Sequence, residues 1–227
     1  MATFYLVATP IGNLGDFSFR AVEVLKSVSY IACEDTRTSG VLLSHYGIQT
    51  PTFSFHQHNE HKKIAHIIDL MDAGRDVALI SDAGMPGISD PGFLAVRAAH
   101  QAKHTVSVVP GPDAATTALV ASGLPCDKYA YEGFLPQKKG RQKRLKQLAK
   151  EERTVILYES PHRLMKLLDE LEQYMGDKRY IAVARELTKK FEEIVRGTLS
   201  EVKLTFEQRK EIKGEIAVIV APDSYSE

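Results

Sequence analysis

The sequence predicts an α/β protein built from two domains. Short runs rich in β-branched and aromatic residues alternate with segments of helical periodicity, an order typical of α/β architecture with largely parallel sheets. Ten such runs with helices between them favour two sheets. The length of 227 residues is compatible with two compact domains. We therefore expect two domains, each a mostly parallel sheet flanked by helices.

Ten strands are expected, most of them bounded by Gly, Pro, Asp or Ser. The strands of the first half are Phe4–Ala8, Ile31–Cys33, Pro51–Phe55, Val77–Ser81 and Val106–Val109. The strands of the second half are Ala130–Phe134, Val155–Glu159, Ile181–Ala184, Phe191–Arg196 and Glu215–Val220.

The helices between the strands show amphipathic spacing and recognisable ends. Isoleucines and a methionine at positions 64, 67, 68 and 71 follow i, i+3, i+4, i+7, and leucines at 164, 167, 168 and 171 repeat that pattern. Gly74 and Gly176 follow these two runs as stop signals. Thr198 and Glu201 have the spacing of a capping box. The dense turn signals at 122–125 place the domain boundary there, giving domains 1–122 and 123–227.

Composition excludes several classes of protein. With 29 basic and 29 acidic residues the net charge is zero, so any contact with nucleic acid must come from a local patch. Two cysteines without CxxC spacing cannot form a disulfide framework or a four-thiolate zinc site. The first residues lack the pattern of a signal peptide, and no window is apolar enough to span a membrane. We expect a soluble, cytoplasmic protein.

The glycines lie in loops that follow strands. No GxGxxG or GxxxxGK[ST] sequence is present, which argues against a Rossmann dehydrogenase or a P-loop NTPase. Instead, loops 9–16, 81–92 and 110–114 combine Gly with Pro and Asp. Because the carboxyl ends of parallel strands share one sheet edge, where ligands bind, these loops predict a ligand site. The alternative is that these loops are ordinary turns. That alternative is weakest for the loop 81–92, because long loops in compact domains are usually functional.

Seven segments resemble the ribosomal RNA branch of the tetrapyrrole-methylase superfamily: 9–16, 32–37, 81–87, 109–112, 158–163, 184–189 and 213–215. The motifs occur in order over nearly the whole chain. The resemblance implies a two-domain tetrapyrrole-methylase-like fold with S-adenosylmethionine in the cleft between the domains, and a homodimer. It also implies 2′-O-methylation of a cytidine ribose in small-subunit (16S) ribosomal RNA, without a metal. Met85 departs from the threonine usual at this position in that branch.

Cofactor contacts are expected from the strand-end loops and from residues matched by the resemblance. Asp82 could accept a hydrogen bond from a ribose hydroxyl or an ammonium. Asp113 could instead cap the following helix, and Phe134 could belong to the core. The full set of candidates is Pro10, Asp82, Ala83, Gly84, Met85, Asp113, Ala114, Phe134, Tyr158, Ala184, Gly214 and Glu215.

A ribose hydroxyl is a poor nucleophile, so a general base is expected among Asp35, His56 and Glu159, with Glu34 and His58 as further candidates. Arg37 should lower the pKa of Asp35, which would favour a structural role for that carboxylate. Histidines at positions 56, 58 and 61 also allow a metal interpretation, which we do not favour because no recognised ligand spacing completes it.

Basic residues concentrate between positions 138 and 150, with no acidic residue among them. This predicts a phosphate-binding face, although a solvated helix is the alternative. The candidate substrate-binding residues are Arg37, Lys138, Lys139, Arg141, Lys143, Arg144, Arg163 and Arg185. The expected partner is ribosomal RNA or an assembled small subunit. Competing hypotheses are a C-methyltransferase acting on a tetrapyrrole and a non-catalytic RNA-binding protein.

Overall fold

The computed structural model describes residues 2–227. By its residue contacts the chain divides into unit 1, Met1–Asp113, and unit 2, Ala114–Glu227. The boundary therefore precedes the predicted position at 122, and the helix Ala114–Ser122 belongs to unit 2. The physical reason is that this helix packs on strands of the second sheet. The turn signals at 122–125 mark the end of the helix rather than the division of the chain.

Unit 1 is a parallel sheet with helices between its strands, as predicted. Its strands are β1 (Thr3–Val7), β2 (Tyr30–Cys33), β3 (Thr52–Ser54), β4 (Val77–Ile80) and β5 (Thr105–Val109), in the order β3-β2-β4-β1-β5. All four pairings are parallel. Its helices are α1 (Phe19–Ser27), α2 (Thr36–His45), α3 (Glu60–Asp72) and α4 (Phe93–Gln101).

The core of unit 1 lies on both faces of this sheet. β4 is buried at every position, which is typical of a central parallel strand. Ile67 and Met71 of α3 pack beside Phe4 on one face, while Leu25 of α1 and Ile31 of β2 belong to the cluster on the other. The strand ends, and the loops that follow them, are thereby fixed by a packed scaffold.

Unit 2 contains the other five predicted strands. Its elements are α5 (Ala114–Ser122), β6 (Tyr129–Phe134), α6 (Arg141–Leu148), β7 (Thr154–Glu159), α7 (Leu164–Met175), β8 (Tyr180–Arg185), β9 (Glu193–Thr198), α8 (Leu199–Glu207) and β10 (Ile216–Val220). The strand order is β6-β7-β10-β8-β9.

The prediction of a mostly parallel second sheet was wrong. Only β6 and β7 pair in parallel, whereas β10 runs antiparallel to β7 and β8, and β9 runs antiparallel to β8. The segment 186–192 between β8 and β9 is too short for the helical crossover that a parallel pair needs. β10 then inserts between two strands that are distant in sequence.

The helical patterns of unit 2 are confirmed. The four leucines of α7 at positions 164, 167, 168 and 171 are fully buried in one cluster. The capping box at the start of α8 is present, with the Thr198 side chain accepting from the Glu201 N–H and Glu201 accepting from the Thr198 N–H. Within residues 2–227, no helix is both long and apolar enough to cross a membrane.

Candidate functional site at the strand ends of unit 1

The loops after β1, β4 and β5 meet at one edge of the first sheet. Thr9 and Gly84 form an isolated antiparallel bridge, with N···O distances of 2.9 and 3.0 Å. The buried hydroxyl of Thr9 donates to the carbonyl of Ser81 at 3.1 Å. The Ala8 N–H donates to the Val109 carbonyl at 3.2 Å, which ties the β5 loop to the same place. The predicted convergence of these loops is therefore observed.

Two glycines allow this close approach. Gly84 has φ +83°, which L side chains rarely adopt, and it lies over the Ile11 side chain and the Pro112 carbonyl. A Cβ on Gly111 would lie 3.0 Å from the Cβ of Ala8. The backbone of three loops is thus packed together, while Asp82 and Ala83 at the turn are exposed.

A cluster of carboxyl groups lies at the same edge. The Asp35 N–H donates to Asp82 Oδ1 at 3.2 Å, which joins the ends of β2 and β4. Partial burial, and then the charge of Asp82, raise the pKa of Glu34. Although Asp82 is exposed as a residue, the partial desolvation of its carboxyl group raises its pKa as well. Burial and the charges of Glu34 and Asp82 raise the pKa of Asp90 to about 7. We call Glu34, Asp82 and Asp90 the carboxyl cluster.

Asp35 has a structural role. Its Oδ1 accepts from the Arg37 N–H at 2.8 Å and caps α2, and its two oxygens accept from the Arg37 guanidinium at 3.1 and 2.7 Å. These hydrogen bonds lower the pKa of Asp35 to about 2. A carboxylate that binds protons so weakly is a poor general base. Arg37 is exposed but is held by this pair.

His56 lies close enough to Glu34 to contribute to the electrostatics of that carboxyl. The His58 N–H is 3.3 Å from His56 Nδ1, and the His56 N–H donates to Asn59 Oδ1 at 2.8 Å. An acceptor at Nδ1 places the proton of the neutral ring on Nε2. In this tautomer Nε2 of His56 carries the hydrogen and is available as a hydrogen-bond donor.

Glu159, the third candidate base, forms part of the core of unit 2. It is 3% exposed, and its carboxylate accepts from the Ser160 N–H at 2.9 Å and from Arg163 Nε at 2.7 Å. Arg141 Nη2 lies 3.5 Å from its other oxygen. Two guanidinium groups neutralise this buried carboxylate, so we assign it a structural role in place of the predicted catalytic one.

Four of the predicted RNA-binding arginines are also held by partners within unit 2. Arg141 is 5% exposed and donates to Glu170 and to the Pro136 carbonyl, which excludes it from a surface contact with RNA. Arg144 donates to both oxygens of Glu132, and Arg163 pairs with Glu159. Arg185 donates to Glu193 and to the carbonyls of Lys213 and Phe191.

The predicted cofactor residues of unit 2 differ in accessibility. Ala184 is 1% exposed inside the sheet, so its side chain is unavailable to a ligand. A Cβ on Gly214 would meet Glu186 at 2.4 Å, so this glycine admits a neighbouring side chain. Glu215 pairs with Lys189 at 2.8 Å. Phe134 is 56% exposed and its ring lies 5.6 Å from that of Tyr158.

The remaining candidate cofactor residues lie in the strand-end loops or at the boundary between the units. Pro10 is buried, Met85 is half-buried, and Asp113 and Ala114 are half-buried where the chain passes from unit 1 to unit 2. Across residues 2–227, no three His, Cys, Asp or Glu side chains are grouped to hold a metal ion.

Asp90, Thr9 and Ser81 are site residues that the sequence interpretation did not select. Thr9 and Ser81 support the turn through buried hydroxyls, Ser81 Oγ donating to the Gly84 carbonyl at 3.1 Å. Asp90 lies near the end of the long loop 81–92, and the fold brings it close to Glu34.

The fold and this edge of glycine-rich loops define a protein of the methylase class. The model of the family Tetrapyrrole (Corrin/Porphyrin) Methylases matches residues 3–203, and the chain belongs to this family. Solved structures with the same fold include the uroporphyrin-III C-methyltransferase of Thermus thermophilus, with TM-score 0.67 and 20% identity over 98% of this chain and 96% of that one. A cobalt precorrin-4 methyltransferase has TM-score 0.69 and 16% identity, over 96% of this chain and 94% of that one.

Curated relatives are more similar in sequence. The ribosomal RNA small subunit methyltransferase I of a Synechocystis strain is 49% identical over 222 residues, 97% of this chain and 79% of the relative. The protein of the same name from Haemophilus influenzae is 48% identical over 218 residues, 95% of this chain and 77% of the relative. That of Escherichia coli O157:H7 is 47% identical over 218 residues, 95% of this chain and 76% of the relative.

Proposed function

We propose that this protein transfers a methyl group from S-adenosylmethionine to the 2′-hydroxyl of a cytidine ribose in small-subunit ribosomal RNA. The observation that carries the proposal is the identity of about half of all residues with relatives named for ribosomal RNA methylation, over nearly the whole chain. The cytidine and the 2′ position come from the sequence resemblance. We further propose that the enzyme is a cytoplasmic homodimer and that its substrate is free ribosomal RNA or an assembled small subunit.

The strand-end edge of unit 1 has the chemistry to bind this cofactor. S-adenosylmethionine carries a sulfonium and an ammonium, and the carboxyl cluster supplies negative charge close to the exposed turn at Asp82 and Ala83. Burial and mutual repulsion raise the pKa values of the cluster, and a bound cation would relieve that repulsion. The residues present therefore fit the cofactor. A contact of Tyr158 with the cofactor stays a prediction.

When bound, the cofactor supplies a methyl group that its sulfonium has already activated. The chain then has to orient the acceptor hydroxyl and take its proton. Asp35 is too weak a base and Glu159 is buried in ion pairs, so we assign proton acceptance to the carboxyl cluster. Asp90, whose pKa is about 7, matches the neutral pH at which a general base works best.

The test is transfer of tritiated methyl from S-adenosylmethionine to small ribosomal subunits and to naked ribosomal RNA, both from cells lacking this enzyme. Nuclease digestion and mass spectrometry then locate the label. We expect label on a cytidine ribose, and the better substrate shows which form of RNA is used. Absence of label on both substrates, despite measurable cofactor binding, would overturn the proposal and direct the search to tetrapyrroles.

Two variants separate cofactor binding from proton acceptance. Asp82→Asn should weaken cofactor binding more than Asp90→Asn does, whereas Asp90→Asn should lose the rise of kcat with pH. Asp69→Asn, at an exposed position of α3 in the same unit, is the matched control. If Asp90→Asn kept the wild-type pH profile, the proton acceptor would lie elsewhere.

A further inference from the structure

Helix α6 separates its basic residues into two groups. The guanidinium groups of Arg141 and Arg144 are held by carboxylates of unit 2. In contrast, the side chains of Lys143 and Lys146 of α6, and of Lys150 just after it, are exposed and form no ion pair or hydrogen bond within residues 2–227. These lysines are therefore the cations of this segment that are available to a ligand.

Two cavities flank these lysines. One, of about 420 Å³, is lined by Phe134, Pro136, Gly140 and Arg144 among others. The second, of about 740 Å³, is lined by Lys146, Lys150 and Tyr174 among others. Lys143 and Gln147 line both cavities, so the two adjoin across α6. We call the pair the α6 trough.

The first cavity also presents an aromatic surface to solvent. Phe134 is the last residue of β6 and is 56% exposed, although the ring has a neighbour in Tyr158 at 5.6 Å. Arg144 is fixed beside it by Glu132, with Nε–Oε2 at 2.8 Å, and by Gln147 at 3.1 Å. Arg144 is therefore held at the edge of this cavity by hydrogen bonds within unit 2.

We propose that the α6 trough binds an unpaired stretch of RNA, with one base stacked on Phe134 and the backbone following the free lysines. This rests on the proposed function, and it specifies the form of RNA that unit 2 recognises. An exposed aromatic ring beside a track of lysines is the arrangement that binds single strands, because the ring accepts any base face while lysines neutralise phosphates. In a duplex the base faces are stacked internally and cannot reach Phe134.

Binding is measured by fluorescence anisotropy with a labelled unpaired oligoribonucleotide and with a hairpin of equal phosphate number, in the absence of cofactor. We expect the unpaired strand to bind at least about fivefold more tightly. A 2-aminopurine base in the strand should lose fluorescence on binding. Phe134→Leu should abolish that quenching and weaken binding of the strand about fivefold or more, with little effect on the hairpin.

The lysines are tested by the salt dependence of the same binding. Lys143→Gln should lower the slope of log K against log salt by about 0.7, the value for one phosphate contact on a single strand. Lys26→Gln, an exposed lysine in the last turn of α1, is the matched control and should leave the slope unchanged. Circular dichroism establishes that each variant is folded.

Equal affinity for strand and hairpin, or wild-type quenching by Phe134→Leu, would overturn the inference. An unchanged salt slope in Lys143→Gln would overturn it as well. These results are independent of methyl transfer. An enzyme that methylates ribosomal RNA but fails the binding tests would refute the α6 trough alone, whereas strand binding without transfer to any RNA would refute the proposed function.

Discussion

Replacing Glu159 by glutamine decides whether this carboxylate is structural or catalytic. The substitution keeps the shape of the side chain and removes the charge that faces Arg163 at 2.7 Å and Arg141 at 3.5 Å. Removing one partner of a buried pair costs about 3–5 kcal/mol. Arg141 keeps Glu170 as a partner, and Arg163 is one-third exposed, so we expect the lower value of about 3 kcal/mol.

A loss of that size corresponds to a decrease in Tm of roughly 6–12 °C for a chain of this length. Thermal denaturation followed by circular dichroism measures it. Methyl transfer is then assayed well below the Tm, where we expect the folded variant to keep most of the wild-type kcat. Glu172→Gln, which removes a more exposed pair with Lys203 at 2.7 Å, is the control and should cost less than about 1 kcal/mol.

The opposite pattern would refute this reasoning. A general base contributes about 10²–10⁴-fold to the rate. If Glu159→Gln had the wild-type Tm and lost kcat by a factor in that range, the carboxylate would act on the substrate. The pairs with Arg141 and Arg163 would then serve to position a catalytic group.

Three further predictions concern stability and reactivity. Asp90 has a higher pKa in the folded protein than in the unfolded chain, so the stability of the protein falls as pH rises from about 4 to about 7. Asp90→Asn should therefore stabilise the protein at pH 8 by about 1–2 kcal/mol after allowance for solvent screening, and by less at pH 5. Gly214→Ala should destabilise unit 2 by about 1–3 kcal/mol, because φ is +93° and the new Cβ would displace Glu186. Native protein should react with thiol reagents at Cys126 alone, since burial excludes reagent from Cys33 and raises its pKa to about 11.

Each of these has a result that contradicts it. The first prediction is contradicted if Asp90→Asn raises the free energy of unfolding by the same amount at pH 5 and pH 8. That result would mean that folding does not raise the pKa of Asp90. Gly40→Ala, at an open helical position, should stabilise by about 0.5–1 kcal/mol and controls for the added methyl group. A Gly214→Ala variant as stable as wild type would show that the loop relaxes freely. Modification of two thiols in the native protein would contradict the burial of Cys33.

Local features of the sequence determined the elements of this fold. All ten strands lie where β-rich runs between turn residues were expected, and the leucine spacing of α7 and the capping box at Thr198 were confirmed. The glycine-rich loops of unit 1 converge as predicted, because parallel strands place their carboxyl ends on one edge. Hydrophobic periodicity and turn propensity depend on a few neighbouring residues. They can therefore be recognised from the sequence before the tertiary structure is known.

The roles of the charged residues depended on the tertiary structure. Composition alone does not distinguish the buried from the exposed basic residues of α6. Helical spacing could have done so for Arg141, because it lies on the same face as the buried Leu145 and Leu148. Its partners Glu159 and Glu170 come from β7 and α7, so no local pattern identifies them. The exposed lysines of the same helix could not be told from Arg141 by charge alone.

Strand direction in unit 2 and the carboxyl cluster were likewise decided by packing. β10 pairs with β7 and β8, which are far from it in sequence, and thereby makes the second sheet largely antiparallel. Asp90 acquires its raised pKa from Glu34, which arrives from a different strand end. The sequence by itself determined which segments become strands, helices and loops. The fold alone determined which charges are buried together, because burial and Coulomb energy depend on distances between residues that the chain order does not contain.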